Sequence, residues 1–86
     1  MAALSGRIQH DTQVQWLSLV ENNAGNGSGE NLSNLCALAK NVPFKEPMPP
    51  EIKVVVDAVA RVAQTNIYDP ELIDKAKLAI ARFSKV

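Results

Sequence analysis

The chain has 86 residues, enough for one small domain, and its nine Lys and Arg are balanced by nine Asp and Glu. That balance argues against a protein that holds nucleic acid mainly by neutralising phosphates, which wants a basic excess on one face. Leu, Ile, Val and Phe supply 24 residues, above the ~20% level below which chains tend to stay disordered, so a core is expected, though a thin one.

The opening stretch "MAALSGRIQHDTQ" has no apolar run of signal-peptide length, and no stretch approaches the ~18 apolar residues needed to span a bilayer. His10 is the only histidine and reads as a surface or capping residue. In "DTQVQWLSLVENN", Asp11 or Thr12 would cap a helix carrying Val14, Leu17 and Val20, with Trp16 and Leu19 alongside. The same letters alternate like a strand from Val14 to Leu19. The helix is preferred, because no other segment offers a strand to pair with. Trp16, the only tryptophan, is either a core plug or an anchor for a partner, since interfaces are enriched in Trp.

"NNAGNGSGEN" (22–31) holds three glycines and four asparagines and is expected to be a flexible loop. It superficially resembles a phosphate-binding turn, but no Gly-Lys-Ser/Thr follows it. "NLSNLCALAKN" puts Leu32, Leu35, Cys36 and Ala39 on one face of a short helix, with Leu38 beside it, capped near Asn31 and ended before Pro43. Cys36 is the lone cysteine. It excludes an intramolecular disulfide, favours a reducing compartment, and reads as a small hydrophobe. The cytoplasm is the expected location. The next segment, "NVPFKEPMPPE" (41–51), contains four of the five prolines and is a stiffer extended connection.

The last two segments are the clearest. In "PPEIKVVVDAVARVAQTN", Ile52, Val55, Val56, Val59, Val62 and Ala63 fall at i, i+3, i+4, i+7, i+10 and i+11, one stripe of a helix. β-Branched residues favour strands, but a strand would put Val55 and Val56 on opposite faces. Pro50 suits the first helical position, and Asn66 is a reasonable stop. Asp69 then caps a second helix with Pro70 at its first position, and Leu72, Ala76, Ala79, Ile80 and Phe83 form its stripe. Glu71 and Asp74 precede Lys75, Lys77, Arg82 and Lys85, the order that a helix dipole prefers. The prediction is a helical hairpin over about 51–84.

No residue group points to catalysis. One His and one Cys fall short of a usual zinc site. Glu71 with Asp74, and Glu51 with Asp57, lack the ligand spacing of a calcium loop. No metal, cofactor or small-molecule substrate is expected.

Over residues 32–83 the layout resembles that of the flagellar anti-sigma family, short bacterial inhibitors of the flagellar sigma factor. "LSNLCALAKNVP", "IKVVVDAVARVAQTN", "IYDPE" and "LIDKAKLAIARF" follow its order of leucine-bearing helix, proline spacer, apolar helix, Tyr-containing turn and final helix. Asn66 stands where a glycine is expected. The resemblance implies a chain that wraps a sigma factor and blocks its joining of the polymerase core.

The expectation is therefore an all-α bundle of three or four short helices in one small domain, 1–86, acting as a non-enzymatic protein-binding module. Its partner would be another protein, or a second copy if the chain is instead a self-associating subunit of a phage particle or secretion apparatus. The expected contacts are Ile52, Val55, Val56, Val59, Val62, Leu72, Ile73, Ile80, Phe83 and Trp16.

Overall fold

The computed structural model describes residues 2–25 and 29–84, with side chains from residue 9 onward. Every regular element among them is helical: α1 (Ala2–Ala24), α2 (Gly29–Lys40), α3 (Pro50–Thr65) and α4 (Leu72–Phe83). The all-α expectation holds. The Val14–Leu19 alternation does not make a strand, and Trp16, Leu17, Val20 and Ala24 are buried instead at helical spacing.

Two boundaries differ from the prediction. Asp11 and Thr12 do not start α1 but lie inside it. Ala2, Ala3, Leu4, Arg7 and Gln9 are good helix formers, and a single Gly6 costs only about 1 kcal/mol. The expected 22–31 loop is likewise shorter, because α1 continues to Ala24 and α2 begins at Gly29 rather than near Asn31. Residues 26–28, the middle of that expected loop, lie outside the described residues.

The C-terminal hairpin forms as its spacing predicts. Pro50 opens α3 with Glu51 in its first turn, where a missing N–H costs nothing and a carboxylate meets the positive end of the helix. Asn66 ends it in the left-handed conformation, at φ 56° and ψ 25°, and its N–H reaches the Val62 carbonyl at 2.8 Å. Asparagine is one of the few residues besides glycine that tolerate this geometry, so it can close the turn without the glycine. Asp69 then accepts the Glu71 N–H at 2.9 Å. The Asp69–Leu72 turn leads into α4, whose regular span starts at Leu72 rather than at Pro70.

Packing closes the four helices into a ring: α1 lies against α2 and α4, and α3 lies against α2 and α4. At ~1.5 Å per residue α1 is about 35 Å long, and it accounts for most of the 41 Å long axis of a body 21 Å across. The core draws on every helix, with Leu17 and Val20 from α1, Leu35 from α2, Ile52, Val55, Val59 and Val62 from α3, and Leu72, Ala76 and Ala79 from α4. The proline-bearing connection adds Phe44, which is 8% exposed. It stands edge-on between Trp16, at 5.8 Å, and Phe83, at 5.6 Å.

Polar side chains of α1 tie this corner together. Trp16 Nε1 donates to the Leu38 carbonyl at 3.0 Å, Gln13 Nε2 donates to the Pro43 carbonyl at 2.9 Å, and the His10 ring nitrogen meets the Phe83 carbonyl at 3.1 Å. Leu38 and Phe83 lie in the last turns of α2 and α4, whose carbonyls have no partner within their own helix. The capping reading of His10 thus acquires a specific target.

Candidate docking surface

The ten residues expected to meet a partner are mostly spent on the protein's own interior. Ile52, Val55, Val59, Val62 and Leu72 are 0–1% exposed, and Trp16 is 4% exposed with its indole N–H engaged. Val56, Ile73, Ile80 and Phe83 are half-buried against the same cluster. In the folded chain these ten positions line or flank its own core. The two stripes face the bundle interior, because a chain this short needs both to close a core. A partner could reach the fully buried Ile52, Val55, Val59, Val62 and Leu72 only by opening the bundle.

What remains on the outside is a different set. Leu19 is 41%, Val54 47%, Ile67 69% and Leu78 57% exposed. Single exposed apolar residues are ordinary, whereas adjacent ones are informative. Helix geometry puts Val54 and Leu78 on the same side of the α3–α4 seam. Arg82 lies 3.6 Å from Glu51, so the end of α4 meets the start of α3 and the pair runs antiparallel. Val54 follows Glu51 by three residues, and Leu78 precedes Arg82 by four. Each step is about one helical turn along the same face. The outer seam of the hairpin therefore carries an ion pair at one end and an apolar pair one turn further in.

At the other end of that seam, Lys75 Nζ lies 3.3 Å from Asp69 Oδ2. The Tyr68 phenol is pushed above its usual range, first by partial burial and then by the neighbouring Asp69 carboxylate. A shallow groove of about 220 Å³ opens beside the Glu51–Arg82 pair, floored by Ile52, Ala79 and Phe83. That is below the ~300 Å³ at which small-molecule sites usually begin. A second groove, of about 360 Å³, lies between α1 and α2 over Leu19, Ala37 and Leu38. The amides of its Asn23, Asn34 and Asn41 already donate within the chain.

Cys36 is a half-buried free thiol on α2. Among the described residues no group of three or more His, Cys, Asp or Glu is placed to hold a metal ion, and no helix is long and apolar enough to cross a membrane.

Val54 and Leu78 were absent from the expected contacts for a definable reason. Each is an apolar residue out of phase with the buried stripe of its own helix. Val54 is concealed in the run Val54–Val55–Val56, and Leu78 sits beside the buried Ala79. The phase mismatch was the available signal. Comparison with protein-family models, with curated proteins and with solved structures finds no match to this chain.

Proposed function

We propose that the chain is a non-enzymatic protein-binding module of the cytoplasm, docking through the outer face of the α3–α4 hairpin. The observation that carries this reading is the exposure of Val54 and Leu78 on the two helices that the Glu51–Arg82 ion pair joins. An apolar centre with a charged rim is the usual anatomy of a recognition patch. The lone cysteine suits a reducing compartment.

The resemblance of layout to flagellar anti-sigma proteins supplies the first partner to try, a flagellar sigma factor held away from polymerase. In this reading the bundle docks folded. A wrapping mode would have to pull the valine and leucine stripes out of their own core. The test is isothermal titration of purified flagellar sigma factor with the full chain and with its Val54→Asp and Leu78→Asp variants. The expected result is binding by the parent chain and a loss of tenfold or more in each variant, as for anchors at an interface centre, with helicity unchanged by circular dichroism. No binding removes the sigma factor as partner, and equal binding by all three removes the outer face as the docking surface. Self-association is the second reading, favoured by the order of charges along α4.

A further inference from the structure

Leu78 does not stand alone on its face of α4. At ~100° per residue, Glu71, Asp74, Lys75, Ala81 and Arg82 all project within about 60° of it, while the buried Leu72, Ala76 and Ala79 point away. Glu71, Asp74, Leu78, Ala81 and Arg82 are exposed, and Lys75 is half-buried and paired with Asp69 of its own chain. Read along the helix, the stripe carries Glu71 and Asp74, then Lys75 with its charge engaged by Asp69, the apolar Leu78 and Ala81, and the basic Arg82. Asp74 and Arg82 lie four residues to either side of Leu78, or about 6 Å along the axis in each direction.

We infer that the natural occupant of this face is a second copy of the chain, with the two α4 helices antiparallel about a two-fold axis at Leu78. This rests on the hairpin's outer face being the docking surface and names its partner. Antiparallel pairing sets each Asp74 against the Arg82 of the other copy, twice, and Leu78 against Leu78. Parallel pairing would oppose Asp74 with Asp74 and Arg82 with Arg82, which is repulsive at both ends. The stripe is thus complementary to itself in one orientation only, as a two-fold interface requires. Arg82 can serve both chains: its side chain is 70% exposed while it contacts Glu51 of its own copy. Val54 flanks Leu78 and widens the apolar centre. A helix pair with one flanking residue buries less than the ~1,200 Å² of a standard interface, so the dimer is weak and concentration-dependent.

The experiment is sedimentation equilibrium of the full chain from micromolar to submillimolar concentration, with circular dichroism as the check on folding. The parent chain should pass from monomer to dimer. Leu78→Asp should remain monomeric with unchanged helicity, since the side chain is 57% exposed. Asp74→Arg and Arg82→Asp should each weaken self-association about tenfold, and an equimolar mixture of the two should dimerise again, because each then presents to the other what it lacks for itself. A parent chain that stays monomeric throughout overturns the inference. A dimer indifferent to Leu78→Asp, or charge variants that do not recover on mixing, overturns it equally. Sigma-factor binding that is lost in Leu78→Asp would uphold the docking face even with a parent chain that stays monomeric, so that pair of results fails this inference alone.

Discussion

The α3–α4 hairpin and the corner where α1 meets the proline-bearing connection are held by different means. The hairpin is an apolar seam. Ile52, Val55, Val59 and Val62 meet Leu72, Ala76 and Ala79 inside the bundle, and its ion pairs, Glu51–Arg82 and Asp69–Lys75, stay at the rim. The α1 corner is a lattice of particular bonds. His10, Gln13 and Trp16 each reach a backbone carbonyl on another segment, and His10, Phe83, Phe44 and Trp16 form a chain of rings with neighbouring centroids 4.8–5.8 Å apart. Area-driven packing tolerates substitutions that conserve volume. A lattice of directed bonds fails one bond at a time and leaves an unpaired group behind wherever no second partner remains. The hairpin should therefore be sensitive to polarity and the corner to chemical detail.

The largest effect tests the seam. Val59→Asp buries a charge at a site of zero exposure and should cost more than about 4 kcal/mol, enough to unfold most of a marginally stable domain. Ile80→Asp, at a half-buried position, should cost distinctly less. Urea melts followed by circular dichroism rank the two, and equal losses would deny the seam its place as the core. Next comes the corner. Trp16→Ala should cost about 3–5 kcal/mol as a large side chain leaves a cavity. Trp16→Phe keeps most of the volume and removes the bond to the Leu38 carbonyl. That carbonyl still accepts the Asn41 N–H at 3.2 Å, so the loss should stay near 1 kcal/mol. If the two substitutions cost the same, the bond outweighs the packing and the contrast between the regions sharpens.

The turn between the regular spans of the hairpin gives a smaller effect with an instructive sign. Asn66→Ala should cost about 1 kcal/mol, because a Cβ without a compensating polar group is strained at φ 56°. Asn66→Gly should fall within about 0.5 kcal/mol of the parent chain, since glycine reaches the same conformation freely but loses more entropy on folding. Thermal melts of both variants decide it, and a stable alanine variant would mean that the turn can close another way.

This contrast also explains what could be read from the sequence. The seam was legible because helical burial leaves a period: Ile52, Val55, Val59 and Val62 recur at the spacing that a helix face dictates, and Pro50 and Asn66 punctuate it. The fold class followed. The corner was not legible, since Trp16 and Leu38 are 22 residues apart and His10 and Phe83 are 73 apart, and no local pattern records such pairings. Phe44 was hidden for the same reason, a buried ring within a stretch whose prolines announce only a connection. The same periodicity also supplied the expected partner contacts. It marks what is apolar on one face without saying whether that face turns inward, and in a chain this small inward is where it goes.

The smallest effect probes the far end of the hairpin, where Tyr68 precedes Asp69. Partial burial and the adjacent carboxylate both disfavour the phenolate, so the folded chain holds the phenol proton more tightly than the unfolded chain does. The resulting contribution to stability is fully present below the ordinary tyrosine range near pH 10. It fades as pH rises through the higher folded-state value, so alkaline solution should destabilise the fold slightly at this site. Tyr68 is the only tyrosine, which lets ultraviolet absorbance follow its ionisation without overlap. Asp69→Asn removes the carboxylate while keeping an oxygen to accept the Glu71 N–H. Its titration should move back toward the ordinary value without reaching it, because partial burial, the larger cause, persists. A titration unmoved by Asp69→Asn would mean that the carboxylate is screened by Lys75, its partner at 3.3 Å, and that burial alone sets the shift.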